Sequence, residues 1–179
     1  MKRIINILKY WKLGFCQLAA MVLLLTFSAH SCENEKPEST LPPETQTGAN
    51  TFGCYVNGEL LVATRGFAPW GTPHLRAIYH SSNKLLTISG WGKNGTILMY
   101  ISNPEENVKK ELMRASFRYL DDSGIFYDDN IGEIFITRFD TINLIVSGTF
   151  AFELLPSDRS KIQITQGRFD VKIKESNLK

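Results

Sequence analysis

GEIFITRFDTINLIVSGTFAFELLPSDRSKIQITQGRFDVKIK, residues 132–174, is the stretch that decides the fold. In residues 148–153 and 167–174, apolar side chains alternate with polar or small ones, which is the period of a β-strand with one face on a core. The alternation predicts that five side chains face inward: Phe150, Phe152, Phe169, Val171 and Ile173. Residues 132–174 therefore predict three successive strands around which the rest of the chain is organised.

The composition predicts a single domain that does not bind nucleic acid. The chain has 179 residues, of which 43% are hydrophobic and 21% charged, enough for one ordinary core. The formal charge of +2 includes four leader cations: Lys2, Arg3, Lys9 and Lys12. Without them, 16 basic residues face 18 acidic ones and the net charge is near −2. A nucleic-acid binder normally carries a basic patch or stripe, so the charge balance argues against that class.

The first 31 residues have the pattern of an export signal. Residues 1–13 are a basic n-region with four Lys or Arg residues and no acidic one. Residues 14–27 form an apolar run interrupted only by Gln17, and residues 28–31 are mostly small. The apolar run is shorter than the roughly 20 residues of a membrane-spanning helix. Residues 1–31 therefore predict a signal peptide that is removed from the mature protein, with an uncleaved transmembrane helix as the alternative.

Cys32 directly follows these small residues, and the arrangement resembles the lipobox of bacterial lipoproteins in the relaxed form seen in Bacteroidota. The resemblance implies that Cys32 carries lipid and holds the protein at the outer membrane, facing the periplasm or the cell surface. Each buried methylene of an acyl chain stabilises such an anchor by about 0.8 kcal/mol. The alternative is a plain secretory signal cut near Ser31, which leaves Cys32 free to form a disulfide with Cys54. If Cys32 is lipidated, Cys54 is a lone cysteine in the first strand, where such a residue is usually a small buried hydrophobe.

Residues 32–50 predict a flexible tether between the lipid and a folded domain of residues 51–179. The eighteen residues after Cys32 contain one large apolar side chain, Leu41, and three prolines. Such a segment does not bury enough apolar surface to fold. The acidic residues behind Cys32 also resemble the surface-export signals of Bacteroidota lipoproteins.

Three segments resemble a Bacteroidota lipoprotein family of unknown function. They are LPPETQTGANTFGCYVNG at residues 41–58, VSGTFAF at residues 146–152 and ITQGRFDV at residues 164–171. Together they bracket nearly the whole predicted mature chain. The resemblance implies an all-β lipoprotein domain at the outer membrane, and it brings no catalytic residues with it.

Turn signals between short apolar runs predict an antiparallel β-sandwich or a barrel-like meander of nine or ten strands. The dipeptide Asn57-Gly58 favours a type I′ hairpin turn, because both residues tolerate positive φ. Residues 75–102 have the pattern of three strands joined by tight turns. Residues 103–113, NPEENVKKELM, are the one helix candidate because they begin with a capping asparagine and a proline, although a strand over residues 108–112 fits too. We therefore expect an all-β fold with at most one short helix.

An irregular connection, GFAPWGTPH at residues 66–74, carries a candidate ligand platform. Its rings, Phe67, Trp70 and His74, lie among glycines and prolines, and a flat aromatic ring suits the C–H face of a sugar. The alternative is that Trp70 folds back and fills one end of the core. His74 and His80 lack Cys or carboxylate partners at ligand spacing, so they do not predict a zinc site.

Residues 121–130 hold the side chains that come nearest to a metal motif. Asp121, Asp122, Asp128 and Asp129 are weak calcium candidates, since calcium prefers oxygen ligands. Their spacing is not that of an EF-hand loop, and Asp is an ordinary residue of hairpin turns. We therefore predict no metal and no other cofactor.

Three function classes remain open. A lipid anchor, a tether and a β-domain without a catalytic motif favour a non-catalytic binding or accessory module of the cell envelope, with a glycan or another envelope protein as its partner. The second class is an envelope-associated hydrolase acting on glycan, in which Asp121, Asp122 and Glu133 pair as acid and base, or His74 or His80 activates a serine. The third is a structural or fimbria-like subunit that donates or accepts a strand at an open sheet edge.

Overall fold

The computed structural model describes residues 40–63, 73–120, 126–127, 131–155 and 161–175, and these residues form an all-β fold without a helix. Eleven strands occur in this part of the chain: β1 Thr51–Val56, β2 Glu59–Val62, β3 Leu75–His80, β4 Leu85–Trp91, β5 Gly95–Ser102, β6 Lys109–Glu111, β7 Arg114–Tyr119, β8 Phe126–Tyr127, β9 Ile131–Asp140, β10 Ile145–Leu154 and β11 Ile162–Glu175. The prediction of an all-β fold is confirmed. The count exceeds the expected nine or ten because β6 lies within the predicted helix.

The strands form one curled mixed sheet, a half-barrel, in the order β6-β9-β10-β11-β3-β4-β5-β7-β8, with β1 paired to β11 and β2 paired to β1. All pairs are antiparallel except β11 with β3. β11 joins the parts of the sheet, because it pairs with β10 along one edge and with β1 and then β3 along the other. The run from β9 to β11 is therefore the organising part of the fold, as the sequence predicts.

The core lies on the inner face of the curled sheet. The five side chains predicted to face inward are each at most 5% exposed: Phe150, Phe152, Phe169, Val171 and Ile173. The Phe150 ring contacts the rings of Phe52, Phe152 and Phe169, with centroid distances of 5.3, 6.1 and 6.3 Å. The inward face predicted for β10 and β11 is confirmed.

A bulge in β11 lets both halves of this long strand face the core. Ile162 and Ile164 are buried in the first half, whereas Gly167 and Phe169 are buried in the second, so the alternation changes phase between them. The residue at the change is Gln166, which has a φ of 51°, and the register with β10 shifts at the same point. One extra residue on one strand is the definition of a bulge, and it restores the inward face after the shift.

Two hairpin turns are fixed by local chemistry. Asn57 and Gly58 have φ values of 49° and 85°, which confirms the predicted type I′ turn between β1 and β2. Between β9 and β10, the Asp140 carboxylate accepts hydrogen bonds from the backbone N–H groups of Ile142 at 3.0 Å and Asn143 at 2.8 Å. These bonds close the turn and hold the two long strands in register.

The helix candidate over residues 103–113 is wrong, and the alternative of a strand within residues 108–112 is confirmed. Asn103 and Asn107 have φ values of 47° and 59°, a left-handed conformation that a right-handed helix does not allow. Lys109–Glu111 instead forms β6 at the edge of the sheet, beside β9. The capping residues belong to a turn here, because pairing with β9 outweighs the local helix signals.

Cys54 is a small buried hydrophobe, as its position in the first strand predicts. Its side chain is fully buried in the core and its thiol is free. Burial raises the pKa of the thiol to about 12, because the thiolate would lose its hydration. Cys54 is therefore an inert residue at neutral pH.

Candidate ligand groove on the outer face of the sheet

Strand pairing lines up four side chains across β6, β9, β10 and β11. Lys109 is the register partner of Phe135, Phe135 is the partner of Thr149, and Thr149 is the partner of Arg168. These positions alternate with buried ones, so they lie on the face of the sheet that points away from the core. We call this line of a cation, an aromatic ring, a hydroxyl and a guanidinium the outer row.

A groove of about 350 Å³ lies along the outer row. Its floor is low because β10 contributes two small side chains, Thr149 and Ala151. Longer side chains border the floor, with Phe135 on β9 and with Gln166 and Arg168 on β11. The volume is near the lower end of the roughly 300–1,000 Å³ that small-ligand sites occupy.

Residues 40–50, the N-terminal segment, pack on the outer face and border the groove through Glu44. The sequence predicts a flexible tether here, and the structure differs from that prediction. Pro42 is buried against Gly53 of β1, where a Cβ atom would approach Pro42 Cδ to 2.7 Å. The absence of a side chain at Gly53 therefore lets the segment lie close to the sheet.

The Asp170 carboxylate holds the N-terminal segment on the sheet. Asp170 lies on the outer side of β11 and is only 1% exposed. Six groups donate hydrogen bonds to it: the backbone N–H groups of Thr47, Gly48 and Ala49 at 2.9, 2.8 and 3.1 Å, and the hydroxyl groups of Thr45, Thr47 and Ser147 at 2.6, 3.3 and 2.7 Å. Five of these donors belong to the segment. The segment is also held by hydrogen bonds from Arg138 to the carbonyl oxygen of Gln46 and from the Lys172 N–H to Asn50 Oδ1.

The hydrogen bonds also keep Asp170 ionised. Burial by itself raises the pKa of this carboxyl, because it penalises the charged form. The donors, with Thr45 and Ser147 foremost, outweigh burial and hold the pKa of Asp170 below its ordinary value. The segment is therefore bound to a carboxylate at neutral pH.

The charged groups of the groove occur in pairs of opposite sign. Lys109 Nζ lies 2.6 Å from Glu133 Oε1, and Arg168 Nη2 lies 3.6 Å from Glu44 Oε1. Two cations and two carboxylates give the groove no formal net charge. The side chains of Lys109, Glu133 and Glu44 are all more than half exposed, and such pairs contribute only about 0–1 kcal/mol. A ligand can therefore separate them at little cost.

Arg168 is the most enclosed of the four charged side chains, at 24% exposed. Among the described residues, its guanidinium makes one hydrogen bond, from Nη1 to the carbonyl oxygen of Pro42 at 3.3 Å. Its Nε is buried and has no hydrogen-bond partner in that part of the chain. Because a guanidinium carries five N–H donors, the Nη groups of Arg168 keep donor capacity for a ligand, whereas the buried Nε does not face the groove's solvent.

One member of the predicted ligand platform lies among the described residues. His74 precedes β3, its ring centroid is 5.2 Å from that of Trp91, and its carbonyl oxygen accepts a hydrogen bond from the Trp91 N–H at 2.7 Å. Phe67 and Trp70 lie outside the described residues. The platform therefore remains a prediction.

The structure brings one of the predicted hydrolase residues to the groove. Glu133 lies on the outer face of β9, paired with Lys109, while His80 is the last residue of β3. Several predicted residues lie outside the part of the chain that the structure describes: Cys32, Asp121, Asp122, Asp128 and Asp129. Among residues 40–63, 73–120, 131–155 and 161–175, no group of three or more His, Cys, Asp or Glu side chains is arranged to hold a metal ion.

No helix within the described ranges is long and apolar enough to cross a membrane.

Sequence reasoning did not single out Phe135, Arg168 or Asp170. A sequence signal for Phe135 does exist. Residues 134–136 are all apolar, and in a strand with one face toward solvent the middle one of three such residues can lie on the outer face. A signal for Asp170 is its position inside a predicted strand. Asp is depleted in strand interiors, so an Asp at such a position indicates a specific hydrogen-bonding role. Arg168 has no such signal, because a polar residue is ordinary on an outer face.

Comparison of the chain with protein-family models, with curated proteins and with solved structures gives no match.

Proposed function

We propose that this protein is a lipid-anchored binding or accessory module of the cell envelope, and that the groove on the outer face is its ligand site. In this proposal, Cys32 carries the lipid at the outer membrane, with the domain facing the periplasm or the cell surface. The signal-peptide pattern of residues 1–31 supports this cellular location. The groove supports the binding role, since it is an open concave surface of about 350 Å³ bordered by several polar side chains.

The observation that carries the binding role is the outer row. Four different chemical groups lie side by side on four paired strands, Lys109, Phe135, Thr149 and Arg168. A rigid sheet holds such groups at fixed spacing, and preorganised groups lose less entropy when a ligand binds. The N-terminal segment adds a wall that is fixed by Asp170.

The β6 edge of the sheet, which is one of its ends, does not favour the addition of a strand. β6 has three residues, all charged, and charged, short edge strands discourage the addition of another strand. Beyond β6, the Glu106 carboxylate accepts a hydrogen bond from the backbone N–H of Phe139 in β9. The backbone donor that an incoming strand would use at Phe139 is therefore occupied.

A reporter on the floor of the groove tests the proposal without assuming the ligand. Ala151, which is exposed, is replaced by Cys in the full-length chain and labelled with an environment-sensitive maleimide fluorophore. Cys54 does not compete for the label, because it is buried and its pKa is raised to about 12. The chain is produced with its own leader, so that in this proposal Cys16 is removed and Cys32 is blocked by lipid. Thr87→Cys, on the outer side of β4, is the matched control, and the unsubstituted chain gives the background.

The labelled proteins are titrated with separated glycan, peptide and lipid fractions of envelope material. We expect a saturable change from the Ala151 label with at least one fraction and none from the Thr87 label. Equal responses from the two labels, or no saturable response from the Ala151 label with any fraction, would contradict a ligand site in the groove.

A further inference from the structure

We infer that the groove binds a neutral sugar ring that stacks on Phe135; this inference rests on the proposed function and names its ligand class. The ring of Phe135 is half-buried on the outer face of β9, where it borders the low floor formed by Thr149 and Ala151. A half-buried aromatic ring that lines a groove presents part of its apolar surface to a ligand there. The C–H face of a pyranose is the complementary surface, since C–H groups carry the partial positive charge that a π-face attracts.

The charge balance of the groove favours an uncharged ligand. Lys109 is paired with Glu133 and Arg168 with Glu44, so a carboxylate lies beside each cation even though the pairs themselves are weak. An anionic ligand at Arg168 would face the Glu44 carboxylate, and a cationic ligand at Glu133 would face the Lys109 ammonium. Like charges side by side oppose binding, whereas a neutral ligand meets no such repulsion.

The remaining polar groups match hydroxyl groups. The Thr149 hydroxyl and the Gln166 amide both donate and accept hydrogen bonds, and the Arg168 guanidinium donates. Each sugar hydroxyl also donates and accepts, so adjacent hydroxyls can be satisfied by such a set. Phe135 and Arg168 are two strands apart, about 10 Å at the usual strand spacing. Stacking on one side and hydrogen bonding on the other therefore act on the same small ligand.

The backbone of the floor argues against an extended peptide. The floor strand β10 is paired with β9 on one side and with β11 on the other, so its N–H and C=O groups are engaged in the sheet. A peptide gains much of its affinity on a sheet from backbone hydrogen bonds at an open edge. The groove lies across a sheet face and offers mainly side chains.

Ligand-observed saturation-transfer NMR on the full-length chain tests this inference. The neutral probes are the methyl pyranosides of glucose, galactose, mannose and N-acetylglucosamine. Their charged counterparts are the methyl glycosides of glucuronate, galacturonate, mannuronate and glucosamine, one for each neutral probe, which keep the pyranose ring and change the charge. Phe135→Ala removes the stacking surface, Phe135→Tyr retains it, and Tyr100→Ala removes a comparable half-buried ring from the outer side of β5.

We expect transfer to at least one neutral probe and weaker or absent transfer to its charged counterpart. Phe135→Ala should weaken binding about fivefold, while Phe135→Tyr and Tyr100→Ala should bind as the unsubstituted chain does. Melting temperatures of the three variants identify a loss of folding.

Four results would overturn the inference, and they separate it from the proposed function. Binding of charged probes alone, with loss in Phe135→Ala, would reject the neutral ligand and keep the groove. Neutral binding that Phe135→Ala leaves unchanged would place the sugar elsewhere on the chain. Equal loss in Phe135→Ala and Tyr100→Ala would remove the specific role of Phe135. No transfer to any probe would reject the sugar, and the Ala151 reporter would then decide separately whether the groove is a site.

Discussion

Oδ1 of Asp170 accepts a hydrogen bond from the backbone N–H of Gly48 at 2.8 Å, across 122 residues of chain. The bond joins the last strand to the N-terminal segment, and the neighbouring N–H groups of Thr47 and Ala49 bind the same carboxylate. Successive N–H groups that converge on one anion form a backbone nest. The Asp170 carboxylate therefore satisfies backbone N–H groups of the segment, as a neighbouring strand satisfies those of a strand.

Replacing Asp170 by Asn should destabilise the fold. The amide has the shape of the carboxylate but accepts on one oxygen only, and its NH₂ group would face donors of the segment. Because buried donors then lose their partner, we expect a loss of about 2–4 kcal/mol in the free energy of unfolding, measured by urea denaturation. Lys174→Gln, at an exposed position of the same strand, is the control and should change little. A loss no larger than that of the control would show that Asp170 does not hold the segment.

The contribution of Asp170 should depend on pH. Because its pKa is lowered by folding, the stabilisation is complete above the unfolded value of about 3.9 and is lost as the pH falls through the folded pKa. The difference in unfolding free energy between the unsubstituted chain and Asp170→Asn should therefore be constant near neutrality and shrink below about pH 4. The lowered pKa of Asp140, caused by hydrogen bonds from Asn143 and Arg138, is common to both proteins and cancels. A difference that stays constant down to pH 2 would contradict this explanation.

Phe169 should be a major contributor to the core. Its side chain is 3% exposed and its ring centroid lies 6.3 Å from that of Phe150. Phe169→Ala removes these contacts and leaves a cavity, so we expect a loss of about 3–5 kcal/mol in unfolding free energy. Thr149→Ala, on the outer face of the neighbouring strand, should cost far less. A loss below about 1 kcal/mol at Phe169 would mean that the inner face is assigned wrongly.

The proposed lipid anchor predicts the cellular fraction in which a Cys32 variant is found. If Cys32 carries lipid, Cys32→Ser should move from the membrane fraction to the soluble periplasmic fraction. Cys54→Ala should stay with the membranes, because Cys54 is buried in the core. If Cys32→Ser partitions into detergent as the unsubstituted chain does, the result would contradict lipidation of Cys32. It would favour the alternative that the leader is an uncleaved transmembrane helix.

The strands could be predicted wherever the alternation is local and uninterrupted. Residues 75–80 and 85–91 are predicted as strands and are β3 and β4. In β4 the buried positions repeat with a period of two. The alternation across β11 changes phase at Gln166, and a simple periodicity does not detect the extra residue. The helix prediction for residues 103–113 rests on residues that often cap helices. In the structure, pairing of β6 with β9 outweighs those local preferences.

The site was less predictable, because its residues are distant in sequence. Lys109, Phe135, Thr149 and Arg168 become neighbours only through the pairing of β6, β9, β10 and β11. No local pattern encodes that register. The N-terminal segment was expected to be flexible since it is polar and proline-rich, and composition does not show that Asp170 supplies the partners for its backbone. The sequence pattern therefore predicts neither the register between distant strands nor the hydrogen bonds that the buried Asp170 carboxylate accepts.

Amide hydrogen exchange of Thr47, Gly48 and Ala49 tests the central claim most directly, which is that the N-terminal segment belongs to the folded domain and builds a wall of the groove. We predict that these three amides exchange as slowly as the paired amides of β10 and β11, and that Asp170→Asn accelerates them more than it accelerates the amides of β4 and β5, which report the global loss of stability. Exchange of the three amides at the rate of an unstructured chain in the unsubstituted protein would contradict the claim.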